Sequence, residues 1–138
     1  MPVIKELTIL LDDRPSTLGK LCSALAHPNV NILAVHIFSI GGKSVARFVV
    51  DNPKAAKSVL DSEKVTYAET EVVQVKLPHK PGELGRIASR LGDAGINIEY
   101  AYTGLEPYAN TPLVFFGVAR IAEAAPILER AAAAAATP

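Results

Sequence analysis

The chain has a single cysteine, Cys22, so it can hold neither an internal disulfide nor a CxxC metal site. It has no excess of either charge: 14 basic residues stand against 14 acidic ones. That balance argues against a nucleic-acid binder, which carries a basic patch or stripe, and against a polybasic membrane anchor. No apolar run approaches the ~20 residues of a membrane span. The N-terminus, Met1-Pro2-Val3-Ile4-Lys5-Glu6, lacks the charged-then-apolar layout of a signal peptide. No Ser-His-Asp, Cys-His or paired-carboxylate set can be assembled from the residues present. These absences point to a soluble protein of a reducing, cytoplasmic setting, non-catalytic, with no cofactor and no metal.

What is present is a repetition. Arg14-Pro15-Ser16-Thr17-Leu18-Gly19-Lys20-Leu21 returns as Lys80-Pro81-Gly82-Glu83-Leu84-Gly85-Arg86-Ile87, and Val30-Asn31-Ile32 returns as Ile96-Asn97-Ile98, always 66 positions later. A constant shift without gaps marks the duplication of one supersecondary unit. With 138 residues, each copy alone would bury only a thin core, so the halves are expected to pack on one another or on a second chain.

Hydrophobic periodicity gives the element order. In copy one, residues 7–11 read as a strand, and Leu18, Leu21, Cys22 and Leu25 as one helical face. Residues 30–40 form a strand, Gly41-Gly42-Lys43 a tight hairpin turn, and residues 44–50 the returning strand. Asp51-Asn52-Pro53 starts a second helix, and a strand near residues 65–67 closes the unit. Copy two repeats the order without a linker. Its first strand, residues 71–77, runs on from the last strand of copy one after a bend at residues 68–70. Gly95 closes its first helix. A helix from Ala122 to about Ala135 ends it, with Pro126 in the first turn and fraying along the alanine run 131–136. No closing strand follows. The expected fold is α+β: two ferredoxin-like βαββαβ units, residues 1–69 and 70–138, with an antiparallel sheet and helices on one face, the second unit one strand short. Ile32, Ala34 and Phe38 fall on one side of their strand and Leu33, Val35 and Ile37 on the other. Two apolar faces and an open sheet edge imply cover, and a homodimer is expected.

The repeated element offers two kinds of group. The free amides at each helix start, residues 16–19 and 82–85, favour a carboxylate or phosphate. Asn31 and Asn97 offer a paired donor and acceptor, or else bond the strand backbone. Gly19 and Gly85, inside the first turn, suggest close approach of a ligand or another backbone. Together these groups suit a free amino acid. Glu99 is a candidate for its ammonium. Tyr100 and Tyr102 read as sheet packing or ligand contacts, His36 and Cys22 as packed residues, and Arg14 and Lys80 as solvated.

The pattern of Asp or His, a basic residue, Pro, Gly or Ser, then Leu-Gly, an apolar helix and Asn-Ile resembles the ACT domain, in both copies. Ile98-Glu99-Tyr100-Ala101-Tyr102 adds to the likeness with free-standing tandem members. The resemblance implies an amino-acid-binding regulatory module of amino-acid metabolism, with domains pairing side by side and ligands in the seam. It places ligand contacts at Asp13 or His79, at the amides of Ser16–Leu18 or Gly82, Glu83 and Leu84, and at Asn31 or Asn97. Asp13 reads equally as a helix cap. Ser16 replaces the family's usual glycine, which favours copy two. Leu11 and Leu77 stand where some members carry a ligand-binding histidine, which speaks against a serine-type site. The alternative is a ligand-free adaptor that associates with a metabolic enzyme. An acylphosphatase-like enzyme is disfavoured: Arg14 and Asn31 mimic its pair, but the phosphate-cradling loop is missing.

Overall fold

The computed structural model describes residues 2–107, 109 and 111–135. Ten elements follow one another: β1 (Val3–Asp12), α1 (Thr17–Ala26), β2 (Ile32–Ile40), β3 (Lys43–Val50), α2 (Pro53–Ser62), β4 (Thr66–Lys76), α3 (Glu83–Asp93), β5 (Ile98–Leu105), β6 (Pro112–Val118) and α4 (Ile121–Ala135). Among the described residues six strands are formed rather than seven, because β4 runs through the expected bend at residues 68–70 as one strand. Two compact units result, Glu6–Thr70 and Met1–Lys5 with Glu71–Pro138.

In the first unit β1 and β2 each pair antiparallel with β3. Leu7, Ile9 and Leu11 alternate inward beside Ala46, Phe48 and Val50, and α1 and α2 close over them through Leu21, Leu25, Ala56 and Leu60. Gly41 and Gly42 both take positive φ, 57° and 78°, as the two-residue hairpin between β2 and β3 demands. Asn52 caps α2 by accepting from the Ala55 amide at 3.2 Å.

The second unit repeats this plan. β4 and β5 pair antiparallel with β6, and Val73, Val75, Val114 and Phe116 meet Ile87, Leu91, Ala124 and Leu128. Gly95 ends α3 at φ 72°, with its amide on the Gly92 carbonyl at 2.9 Å. Asn29 does the same for α1 at φ 63°. No strand follows α4 among the described residues, but the unit is not left open beside β4. The Pro2 carbonyl accepts from the Gln74 amide at 2.7 Å, Lys5 lies 4.0 Å from Glu71, and Val3 packs on the core. The N-terminal residues therefore supply β4's neighbour, and among the described residues the edge that argued for a dimer is covered.

Both β2 and β5 carry a β-bulge, at Leu33 and at Glu99, one repeat apart. An extra residue reverses the pleat. Val35 and Ile37 pair with Phe48 and Ala46, on the helix side with Ile32, while Ala34, His36 and Phe38 face away. The expected grouping of Ile32 with Ala34 and Phe38 is thus corrected. Pro126 lies in the second turn of α4, not the first, on its exposed side. The expected fraying concerns residues 131–136, of which Ala136 lies outside the described residues. The connection between β5 and β6, residues 106–111, likewise contains Tyr108 and Asn110, also outside them.

Candidate functional site

The two strand-to-helix loops have one conformation. Ser16 (φ 75°, ψ −9°) and Gly82 (φ 87°, ψ −17°) are both left-handed, and each carbonyl accepts the first helical bond, from Lys20 at 3.0 Å and Arg86 at 2.9 Å. The serine does not divert its loop; it endures a conformation costing about 1–2 kcal/mol for a residue with a β-carbon. At α3 the Glu83 amide turns to the Lys80 carbonyl at 3.4 Å, whereas the amides of Gly82, Leu84 and Gly85 have no backbone acceptor among the described residues. A β-carbon on Gly19, Gly82 or Gly85 would meet nothing within 4 Å, so no close approach within the chain requires these glycines.

Side chains distinguish the loops. Asp13 is not a helix cap: its Oδ1 accepts from Ser39 Oγ at 3.0 Å and Ser44 Oγ at 3.3 Å, tying the loop to β2 and β3. Thr17 Oγ1 lies 3.0 Å from both the Asp12 and Arg14 carbonyls. Asp12 is held below the usual carboxylate range by its hydrogen bond with Lys43, by that residue's charge, and by the charge of Arg14. In the second loop His79 is exposed where the first has Asp13, and Glu83 accepts from Arg86 at 3.0 Å. Leu18 and Leu84 are 39% and 51% exposed, so the expected apolar helix face begins one turn later, at Leu21 and Ile87.

Asn31 is exposed and exchanges bonds with Asp51: its amide donates to Asp51 Oδ1 at 2.9 Å, and its carbonyl accepts from the Asp51 amide at 3.1 Å. Asn97 is exposed just before β5. The eleven residues of α3 separate Asn97 from the Gly82 loop, a helix about 16 Å long. The carboxylate and ammonium of an amino acid share one carbon, so one such ligand does not span from the Gly82 amides to Asn97 of the same copy. Glu99, the bulge residue, is exposed. Tyr100 and Tyr102 stack at 6.4 Å and 7°, Tyr102 lies 5.3 Å from Phe115, and the Tyr100 ring covers Gly117.

One polar cluster escaped the sequence. Glu6 is fully buried, accepts from Thr8 Oγ1 at 3.1 Å and lies 3.8 Å from Arg47, whose guanidinium sits 5.4 Å from the Phe38 ring. The alternation of Glu6 and Thr8 with Leu7 and Ile9 signals only which face they share. Each unit also has an open cavity, about 500 Å³ in the first and about 730 Å³ in the second; of the residues expected to bind ligand, Thr17 lines the first and none lines the second. No metal-holding group of His, Cys, Asp or Glu occurs among the described residues. No helix is long and apolar enough to cross a membrane among them.

The family profile of the ACT domain pair matches residues 2–125. The chain belongs to the ACT domain pair family. A structure from Bacteroides thetaiotaomicron matches at 26% identity and TM-score 0.82, covering 92% of this chain and 87% of that one. The ligand-free regulatory subunit of aspartate kinase from Thermus thermophilus matches at 19% identity and TM-score 0.65, covering 98% and 97%. Its counterpart from Thermus flavus matches at 19% and 0.62, over the same shares. At these identities the two subunits share the fold with this ACT pair. No curated protein matches the chain. ACT domains are regulatory, amino-acid-binding modules, and the family accounts for the antiparallel sheets and four helices.

Proposed function

We propose that this ACT pair is a non-catalytic sensor of a free amino acid that regulates an enzyme of amino-acid metabolism. The observation that carries the reading is the α3 loop: Gly82 in the left-handed region, with open amides at Gly82, Leu84 and Gly85. Such amides, at the positive end of the helix dipole, favour a carboxylate. The first loop is less suited, because Asp13 adds a negative charge where the second has His79. Exposed Leu84 supplies an apolar contact beside the amides.

Because Asn97 sits at the far end of α3, the ammonium partner is drawn from a second copy. A two-fold axis would set the loop of one chain against Asn97 and Glu99 of the other, twice, as an isologous interface requires. The test is thermal unfolding and light scattering against the twenty amino acids. A ligand at a hundred times its dissociation constant stabilises by about 2.7 kcal/mol. Asn97→Ala is expected to weaken binding roughly tenfold to a hundredfold, about 1–3 kcal/mol for an unpaired buried polar group. Binding lost in Asn31→Ala but kept in Asn97→Ala would assign the site to the first repeat. No response to any amino acid would favour the adaptor role.

A further inference from the structure

The two cavities occupy partly corresponding places in the two repeats. Leu11 and Asp12 line the first, and Leu77 and Pro78, one repeat later, line the second. Ser39 pairs with Ser44 and Leu105 with Pro112, so Lys43 of the first cavity corresponds to Thr111 of the second. Ala56 and Leu60 hold in α2 the core places of Ala124 and Leu128 in α4, so Lys64 corresponds to Ala132. The shared position is kept and its chemistry is not. The second cavity is lined mainly by Pro2, Val75, Leu77, Pro78, Pro112 and Ala132, with Lys76 and Glu129 as its charges. The first gathers Arg14, Lys20, Lys43 and Lys64 against only Asp12 and Glu63.

Asp12 answers two of those cations, Lys43 at 3.0 Å and Arg14 at 3.6 Å. The side chains of Lys20 and Lys64 make no ion pair among the described residues. Lys64 stands at φ 57°, the left-handed position after α2 that glycine usually fills. Leu10, Leu11, Leu21 and Val65 form an apolar wall. At about 500 Å³ the space is of small-metabolite size. Like charges gathered within a Debye length of about 10 Å repel one another, and an anion of two charges neutralises the excess of two.

We infer that the first-unit cavity is a second effector site, separate from the amino-acid loop, for a small organic dianion such as a phosphate monoester or a dicarboxylate. The experiment measures unfolding of the full chain in phenyl phosphate, glycerol phosphate or succinate, with sodium chloride holding ionic strength constant. At least one dianion is expected to raise the midpoint above the chloride control, and the phosphate and carboxylate arms tell the two headgroups apart. The double variant Lys20→Gln, Lys64→Gly should lose that rise while remaining folded, since glycine suits position 64. Arg90→Gln, in the cationic groove between α3 and α4, should keep it. No rise above chloride with any of the three, or a rise that survives the double variant, overturns the proposal. An amino acid that stabilises the parent chain and the double variant alike reports on the α3 loop, so the two sites fail independently.

Discussion

The ring of Tyr100 lies where a side chain on Gly117 would have to be: a β-carbon there would stand 2.3 Å from Tyr100 Cε1 and Cζ. The two residues are direct partners across β5 and β6, and the ring is stacked on Tyr102, so it cannot tilt away without breaking that stack. Gly117→Ala is therefore expected to destabilise by about 1–3 kcal/mol, as overpacking does. In a Tyr100→Ala background the same change should cost much less. A double-mutant cycle by urea unfolding decides it, and simple additivity of the two changes would refute the pairing.

Ser16 and Gly82 make a reciprocal pair of tests. Both hold the left-handed position before a helix. Ser16→Gly relieves about 1–2 kcal/mol of backbone strain but adds about 0.5–1 kcal/mol of unfolded-chain freedom. A net gain of a few tenths to about 1 kcal/mol is expected. Gly82→Ala should lose about 1 kcal/mol, although its β-carbon would meet nothing. Denaturant midpoints moving in the same direction for both would contradict the shared conformation.

Much of this was legible in the sequence. The repeat, the glycine hairpin, the Asn52 helix start and the Gly95 stop are local signals, set by residues that act within a turn of themselves. The two bulges were not, because an extra residue in a strand changes pairing and leaves no mark in hydrophobicity. Missing Leu33 and Glu99 misplaced every side chain downstream by one face. The exposure of Leu18 and Leu84 escaped for a related reason: periodicity says which residues share a stripe, not where the sheet beneath it ends. The separation of Asn97 from the Gly82 loop needed only the length of α3, but that follows from the direction of the helix against its sheet rather than from composition.

Asp12 gives a pH signature. Lys43 and Arg14 hold its carboxyl below the ordinary value of 3.8. A folded-state value below the unfolded one means that the ionised cluster contributes its stability above the unfolded range and loses it as pH falls through the folded value. Asp12 is exposed, so the titration itself is the readout rather than the stability. In Lys43→Met the Asp12 midpoint by carboxyl-detected NMR should rise toward 3.8. An unchanged midpoint would show that the Lys43 contact at 3.0 Å does not persist in solution.

The N-terminal segment offers the most local test of the fold. Residues 2–5 sit in the second unit, where Pro2 accepts from the Gln74 amide, while the Leu77 amide donates to Pro112 at 3.3 Å on the β6 side. Amides alternate in direction along a strand, so Gln74 and Leu77 report on opposite neighbours of β4. Removing residues 2–5 leaves Gln74 with water as its only acceptor on that side and uncovers the core beside Val3. In hydrogen exchange of the truncated chain, Gln74 should lose its protection while Leu77 keeps it, because local opening reports local partners. A loss of the hydrogen bond and of the Val3 contact is worth about 1–3 kcal/mol, so the thermal midpoint should fall as well. If Gln74 stayed as protected as Leu77, some other element would have to cover β4, and the N-terminus would not be completing the second repeat.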